Sequence, residues 1–221
     1  MNSSTPISLI SILQVLGDDY VLLKKNVDFP LFVPGSDIDI LVVDRFIASR
    51  SLCQYLQENL SLEDTFVHIQ EEAQHLFVDV IRDNKLWIRI DLIDQFGYFR
   101  RFSVQESLKI QLFRSKISLS VDGARIFVPS NEFDILMRYM EYLEWFEIRP
   151  DKIKHLEYIL QCSNEQEQKQ LIDHLHQYIS LFHKKWQGDV PQRENRIKRF
   201  AKYIIRFYRR ISHIILRIRN K

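Results

Sequence analysis

Two aspartates one residue apart, Asp37 and Asp39, lie inside the segment Gly35-Ser36-Asp37-Ile38-Asp39-Ile40-Leu41-Val42. On an extended strand, residues i and i+2 project from one face, so the two carboxylates stand together while Ile38 and Ile40 turn toward the core. Adjacent anions repel unless a cation neutralises them. An all-oxygen ligand set of this kind suits Mg²⁺ or Mn²⁺, which also take a nucleotide's phosphate oxygens as further ligands. A third carboxylate is expected from a neighbouring strand. Asp91, in the otherwise apolar β-run Arg89-Ile90-Asp91-Leu92-Ile93, is the candidate.

The elements that must position these groups follow from hydrophobic spacing and punctuation. Residues 7–17 read as a short helix and 20–23 as a buried strand, followed by a loop over 26–35 that contains Pro30, Pro34 and Gly35. Residues 37–43 form the strand that carries the two aspartates, and Asp44 caps a helix over 45–59. A strand is expected over 65–70. Two β-runs, 75–82 and 85–93, flank Asp83-Asn84, a dipeptide suited to a tight hairpin, and a second hairpin is expected at Asp122-Gly123. With a two-residue loop at Asp83-Asn84, Leu76 lies opposite Asp91 and Asp79 opposite Ile88, which turns Asp79 to the far face. A one-residue bulge would reverse that parity and leave Asp79 as a substitute for Asp91. Ser130 is expected to cap a helix over 131–147, with Phe133, Tyr139, Tyr142, Trp145 and Phe146 as packing aromatics. Further helices are expected over 151–161, 165–186 and from Pro191 onward. The expected architecture is α+β: a mixed sheet with flanking helices over 1–130, a helical domain over 131–190, and a C-terminal helix over 191–221.

The order apolar strand, Gly35-Ser36, Asp37-x-Asp39 strand, helix, and a later β-run with Asp91 resembles the DNA polymerase beta-type nucleotidyltransferase superfamily over roughly residues 18–95. The continuation through Ile126-Phe127-Val128-Pro129-Ser130 into helices is similar to small bacterial members associated with surface-polysaccharide gene clusters. The resemblance implies a metal-dependent nucleotidyltransferase that moves a nucleoside monophosphate from a nucleoside triphosphate to a hydroxyl, with Asp37, Asp39 and Asp91 as catalytic metal ligands. It also implies a departure, because the superfamily places a Gly-Ser or Gly-Gly pair at the end of its first strand to cradle the triphosphate. Here that strand ends in Leu23-Lys24-Lys25, and the only Gly-Ser pair, Gly35-Ser36, adjoins Asp37. Either Lys24 or Lys25 supplies positive charge to the phosphates, or triphosphate binding has been altered or lost. A binding or assembly module that keeps the fold without the chemistry is therefore the alternative, as is a modifier of a protein or an antibiotic.

Composition and charge narrow the partners. The 221 residues are 46% hydrophobic with 5 Gly and 6 Pro, an ordinary folded composition. Cys53 and Cys162 form neither a CxxC motif nor a Cys/His cluster, and the seven histidines lack metal-ligand spacing, so a structural zinc site is not expected. No signal peptide or membrane span is read, and a cytoplasmic location is expected. Charge is uneven. Residues 193–221 hold eleven Lys/Arg and one acid, for a net +10, against −8 for the rest. That acidic body disfavours nucleic acid and favours a small hydroxyl compound, sugar or lipid-linked sugar as acceptor. In the tail, Ile197, Phe200, Ile204, Ile211 and Ile215 share a helical face opposite Arg199, Lys202, Arg206, Arg209 and Arg210. This basic amphipathic helix docks on the helical domain, lies on an anionic membrane surface, which would place the protein at the inner face of the membrane, or, as the least specific reading of basic charge, binds nucleic acid.

Overall fold

The computed structural model describes residues 8–24, 29–60, 65–97, 99 and 101–181. Residues through Leu181 group into one compact unit, and a second begins at Phe182, outside the described residues. The expected C-terminal helix from Pro191 and the side chain of Lys25 therefore lie outside the description. Along the chain run α1 (Leu9–Val15), β1 (Tyr20–Leu22), β2 (Ser36–Val42), α2 (Arg45–Asn59), β3 (Thr65–Glu71), β4 (His75–Arg82) and β5 (Lys85–Ile93). They are followed by β6 (Phe102–Val104), α3 (Ser107–Ser115), β7 (Ile117–Val121), β8 (Ala124–Val128) and α4 (Asn131–Trp145). A 3-10 turn (Pro150–Lys152), α5 (Ile153–Cys162), α6 (Glu165–Tyr178) and β9 (Ile179–Leu181) complete it. The protein is α+β, as its sequence pattern predicts.

The central sheet has the order β1-β2-β5-β4-β3. It is mixed: β2 and β5 are parallel, and every other neighbouring pair is antiparallel. Parallel pairing of β2 with β5 needs a long crossover, which α2, β3 and β4 provide. Alternation along the strands gives the sheet two unlike faces. On one, Tyr20, Leu22, Ile38, Ile40, Val78, Ile88, Ile90 and Leu92 are buried with Ile12 and Leu13 of α1, Leu52 and Leu56 of α2, and Ile126 of β8. On the other, Val21, Leu41 and Ile93 join Leu108, Phe133, Leu136, Ile159 and Leu171 from α3 to α6. Along β2 this second face passes from apolar Leu41 to the acids Asp39 and Asp37.

Local chemistry explains the boundaries. Asp44 Oδ1 accepts the Phe46 and Ile47 N–H groups at 2.8 and 2.9 Å, starting α2 where a side-chain cap was expected. Asp83 and Asn84 both take positive φ (51° and 60°), the pattern of a two-residue hairpin turn. Three expectations need correction. Ser130 occupies the N-cap of α4, but its hydroxyl makes no capping bond, and its carbonyl instead accepts from Phe133 and Asp134. The helix expected over 165–186 ends at Tyr178, because Ile179–Leu181 pairs with β6 as β9 and the Tyr178 carbonyl accepts the Gln105 N–H. Trp145, expected as a packing aromatic, is exposed at the end of α4. Among the described residues no helix is long and apolar enough to cross a membrane.

Candidate active site

Parallel pairing brings the acids of β2 and β5 side by side. Asp39 lies opposite Asp91 and Asp37 opposite Arg89, so all four side chains project from the same face. Adjacent strands stand about 4.8 Å apart, which makes Asp39 and Asp91 immediate neighbours. The β4–β5 ladder is where the strict two-residue-loop register fails. Ile81 pairs with Leu86 but Val80 pairs with Ile88, leaving Trp87 as an extra residue on β5. Beyond this bulge Asp79 lies opposite Arg89 and Phe77 opposite Asp91. Asp79 is therefore on the acidic face, not on the far side as the unbulged register predicts. It is committed to Arg89, which grips it with two hydrogen bonds at 2.7 and 2.8 Å.

The carboxylates are matched by cations of the protein itself. Lys24, just past β1, places Nζ 2.5 Å from Asp39 Oδ2 and 2.7 Å from Glu141 Oε2 of α4. Glu141 also pairs through Oε1 with Lys152, and His155 Nε2 stands 3.4 Å from its Oε2. His75 Nδ1 lies 2.9 Å from both oxygens of Asp91, and its ring stacks on Phe77 at 5.6 Å. Leu23 fixes the position of Lys24, since its N–H donates to the Asp39 carbonyl at 3.0 Å.

Burial and mutual repulsion shape the charge states. Burial pushes the Asp91 carboxyl up, the His75 hydrogen bond opposes this, and Asp39 and Asp37 raise it further. Asp37 is also raised, by burial first; Arg89 works against the shift, and Asp39 and Asp79 add to it. The hydrogen bond to Asp91 raises His75 above the ordinary imidazole value despite burial. Burial disfavours the charges of both Lys24 and Glu141. Even so, Asp39 and Glu141 hold the Lys24 ammonium above its usual range, and His155, Lys24 and Lys152 hold Glu141 well below the carboxylate range.

Gly35 and Ser36 build the entry to β2. Gly35 has φ +89°, a conformation that favours glycine, and its N–H donates to the Trp87 carbonyl at 2.8 Å. The Ser36 hydroxyl donates to the Val33 carbonyl at 2.5 Å, so in this arrangement it closes the turn. Asp37, Asp39 and Asp91 offer hard oxygen donors of the kind Mg²⁺ or Mn²⁺ takes, and burial first, with the neighbouring carboxylates adding to it, raises Asp37 and Asp91. The donor chemistry fits such an ion. The arrangement is nonetheless closed onto Lys24 and His75, and among the described residues no three His, Cys, Asp or Glu side chains converge to hold a metal.

Glu141, His75, Arg89, Lys152 and His155 went unseen in the sequence. Arg89 could have been flagged as a polar residue two positions from Asp91 on one strand, and His75 as a polar residue on Asp91's face once the bulge was assumed. Nothing local marks Glu141, which meets Lys24 from 117 positions away. No protein-family model matches the chain, and no curated protein does. Among solved structures, an antigenic nucleotidyltransferase-like protein from Paracoccidioides brasiliensis is similar at 15% identity and a TM-score of 0.37, over 78% of this chain and 90% of that one. At that TM-score the likeness transfers neither residue roles nor activity.

Proposed function

We propose that this chain is a metal-dependent nucleotidyltransferase that moves a nucleoside monophosphate from a nucleoside triphosphate to a hydroxyl of a small molecule or sugar, including a lipid-linked sugar. One observation carries the reading: Asp37, Asp39 and Asp91 share a sheet face, with Asp39 and Asp91 opposite one another across a parallel pair. In this reading Asp37 and Asp39 hold the nucleotide's Mg²⁺ or Mn²⁺, and Asp91 completes the set. The ion supplies charge neutralisation for the phosphates and acidifies the acceptor hydroxyl. Arg89 stays on Asp79 and limits the repulsion that Asp37 feels, while His75 orients Asp91. Gly35 and Ser36 set the direction in which Asp37 leaves the turn. The net −8 outside residues 193–221 favours a small acceptor over nucleic acid, and a role in surface-polysaccharide synthesis is one such use.

A second reading, a module that keeps the fold without transfer, is favoured by the Lys24 ammonium on Asp39 and the His75 ring on Asp91. The two readings separate in one experiment. The protein is incubated with each α-labelled NTP, Mg²⁺ or Mn²⁺, and a panel of sugars and sugar lipids, with Asp39→Asn as control. Label transfer with pyrophosphate release, lost in the control, supports the enzyme. Absence of transfer, together with no Mg²⁺-dependent melting shift from any NTP, supports the module.

A further inference from the structure

Lys24 occupies an unusual place. Its ammonium touches Asp39 at 2.5 Å and Glu141 at 2.7 Å, and all three side chains are at most a quarter exposed. Glu141 is a prepared seat: Lys152 engages its other oxygen, and it remains charge-paired whatever Lys24 does. The backbone bond from Leu23 to the Asp39 carbonyl holds the residue before Lys24 against β2, beside the carboxylate that the ammonium meets.

We propose that Lys24 is the resident counter-cation of Asp39, that a divalent cation must displace it to bind there, and that Glu141 is the seat to which it withdraws. The inference rests on the reading of Asp37, Asp39 and Asp91 as a metal site. A divalent cation binding a carboxylate oxygen at about 2.0–2.1 Å would sit within a few ångströms of an ammonium on the same group, and like charges at that separation exclude one another. Withdrawal costs Lys24 one contact rather than two, because the Glu141 contact is already made. The acidic face is thus neutralised without metal, and its affinity for metal is set by competition with an internal ligand. Opposite effects follow from the two ends of the device. Removing the ammonium tightens metal binding, whereas removing the seat weakens it.

The test uses Mn²⁺ alone as probe, without nucleotide, and reads free Mn²⁺ by electron paramagnetic resonance in titrations of the full chain. Lys24→Met is expected to bind Mn²⁺ at least tenfold more tightly than the parent protein, while Lys24→Arg, which keeps a cation in place, stays close to it. Glu141→Gln is expected to bind severalfold more weakly. Adding Asp39→Asn to Lys24→Met should abolish the gain, which locates it at Asp39. If the parent protein binds Mn²⁺ and Lys24→Met binds no better, the counter-cation proposal is overturned and the metal site stands. If neither binds at millimolar Mn²⁺, both are overturned. Should Lys24→Met fail to fold by circular dichroism, Glu141→Gln decides: weaker binding supports the proposal, and unchanged or tighter binding refutes it.

Discussion

Glu141→Gln is the sharpest test of how this fold is held together around the acidic face. The substitution preserves shape and removes one charge, leaving Lys24 with Asp39 but depriving Lys152 of its ion pair. Lys152 is 8% exposed, so its ammonium is left with little water to compensate. Breaking a buried pair from one side costs about 3–5 kcal/mol. The lower end applies because Lys24 keeps a partner, and a loss of about 3 kcal/mol lowers the melting temperature of a domain this size by roughly 6–12 °C. The pH dependence carries a definite sign. Glu141 is depressed in the folded state, so its contribution is present above the unfolded carboxyl value and is lost as pH falls through the folded one. The gap between parent and variant should therefore hold steady from pH 7 to about 5 and close only below about 4.3, the ordinary glutamate value. Urea titrations followed by circular dichroism across that range supply the measurement. A loss under about 1 kcal/mol at pH 7, or a gap that widens as acid is added, would refute the network as a source of stability.

Other outcomes follow from the same geometry. Asp37→Asn should abolish nucleotidyl transfer and lower Mn²⁺ affinity at least tenfold while leaving the metal-free melting temperature equal or slightly higher, because it removes a carboxylate that Asp39 and Asp79 repel; full activity at ordinary Mg²⁺ would end its role as a ligand. His75 should titrate by NMR with a midpoint above the unperturbed value of about 6.5, and the stability it adds should be fully present below that pH and decline as pH rises through its folded midpoint. A midpoint below 6.5 would contradict its pairing with an ionised Asp91. Gly35→Ala should destabilise by about 1–2 kcal/mol from backbone strain alone, since its new methyl would meet only the Leu86 carbonyl at 3.9 Å; an unchanged urea midpoint would disprove the strain.

Much of the scaffold was legible because short-range signals carry it. Asp83-Asn84 specified its hairpin, Asp44 started α2, and the alternation Asp37-Ile38-Asp39-Ile40 placed two acids on one face. The bulge at Trp87 was not legible, since it depends on how β5 fits β4 and β2 at once, and it decided the face of Asp79. The end of α6 was misread for a similar reason. Residues 179–186 continue a helix-compatible pattern, and only the availability of β6 as a partner converts Ile179–Leu181 to strand. The Lys24–Glu141 contact joins residues 117 positions apart that nothing local associates, so the sequence suggests phosphate as a partner for Lys24 and gives no sign of Glu141.

The parallel pairing of β2 with β5 also orders events in time. The β4–β5 hairpin closes over a two-residue turn, a process of about 1–10 μs. β2 and β5 are joined in sequence through α2, β3 and β4, so Asp39 meets Asp91 through a long loop closure whereas the hairpin needs only a short one. Electrostatic repulsion between the two acids consequently opposes the docking of β2 and leaves the hairpin untouched. The refolding rate, more than the equilibrium, is where ionic strength should register: salt screens the approach of Asp39 to Asp91, which already has its protein cation, His75 of β4, within the hairpin.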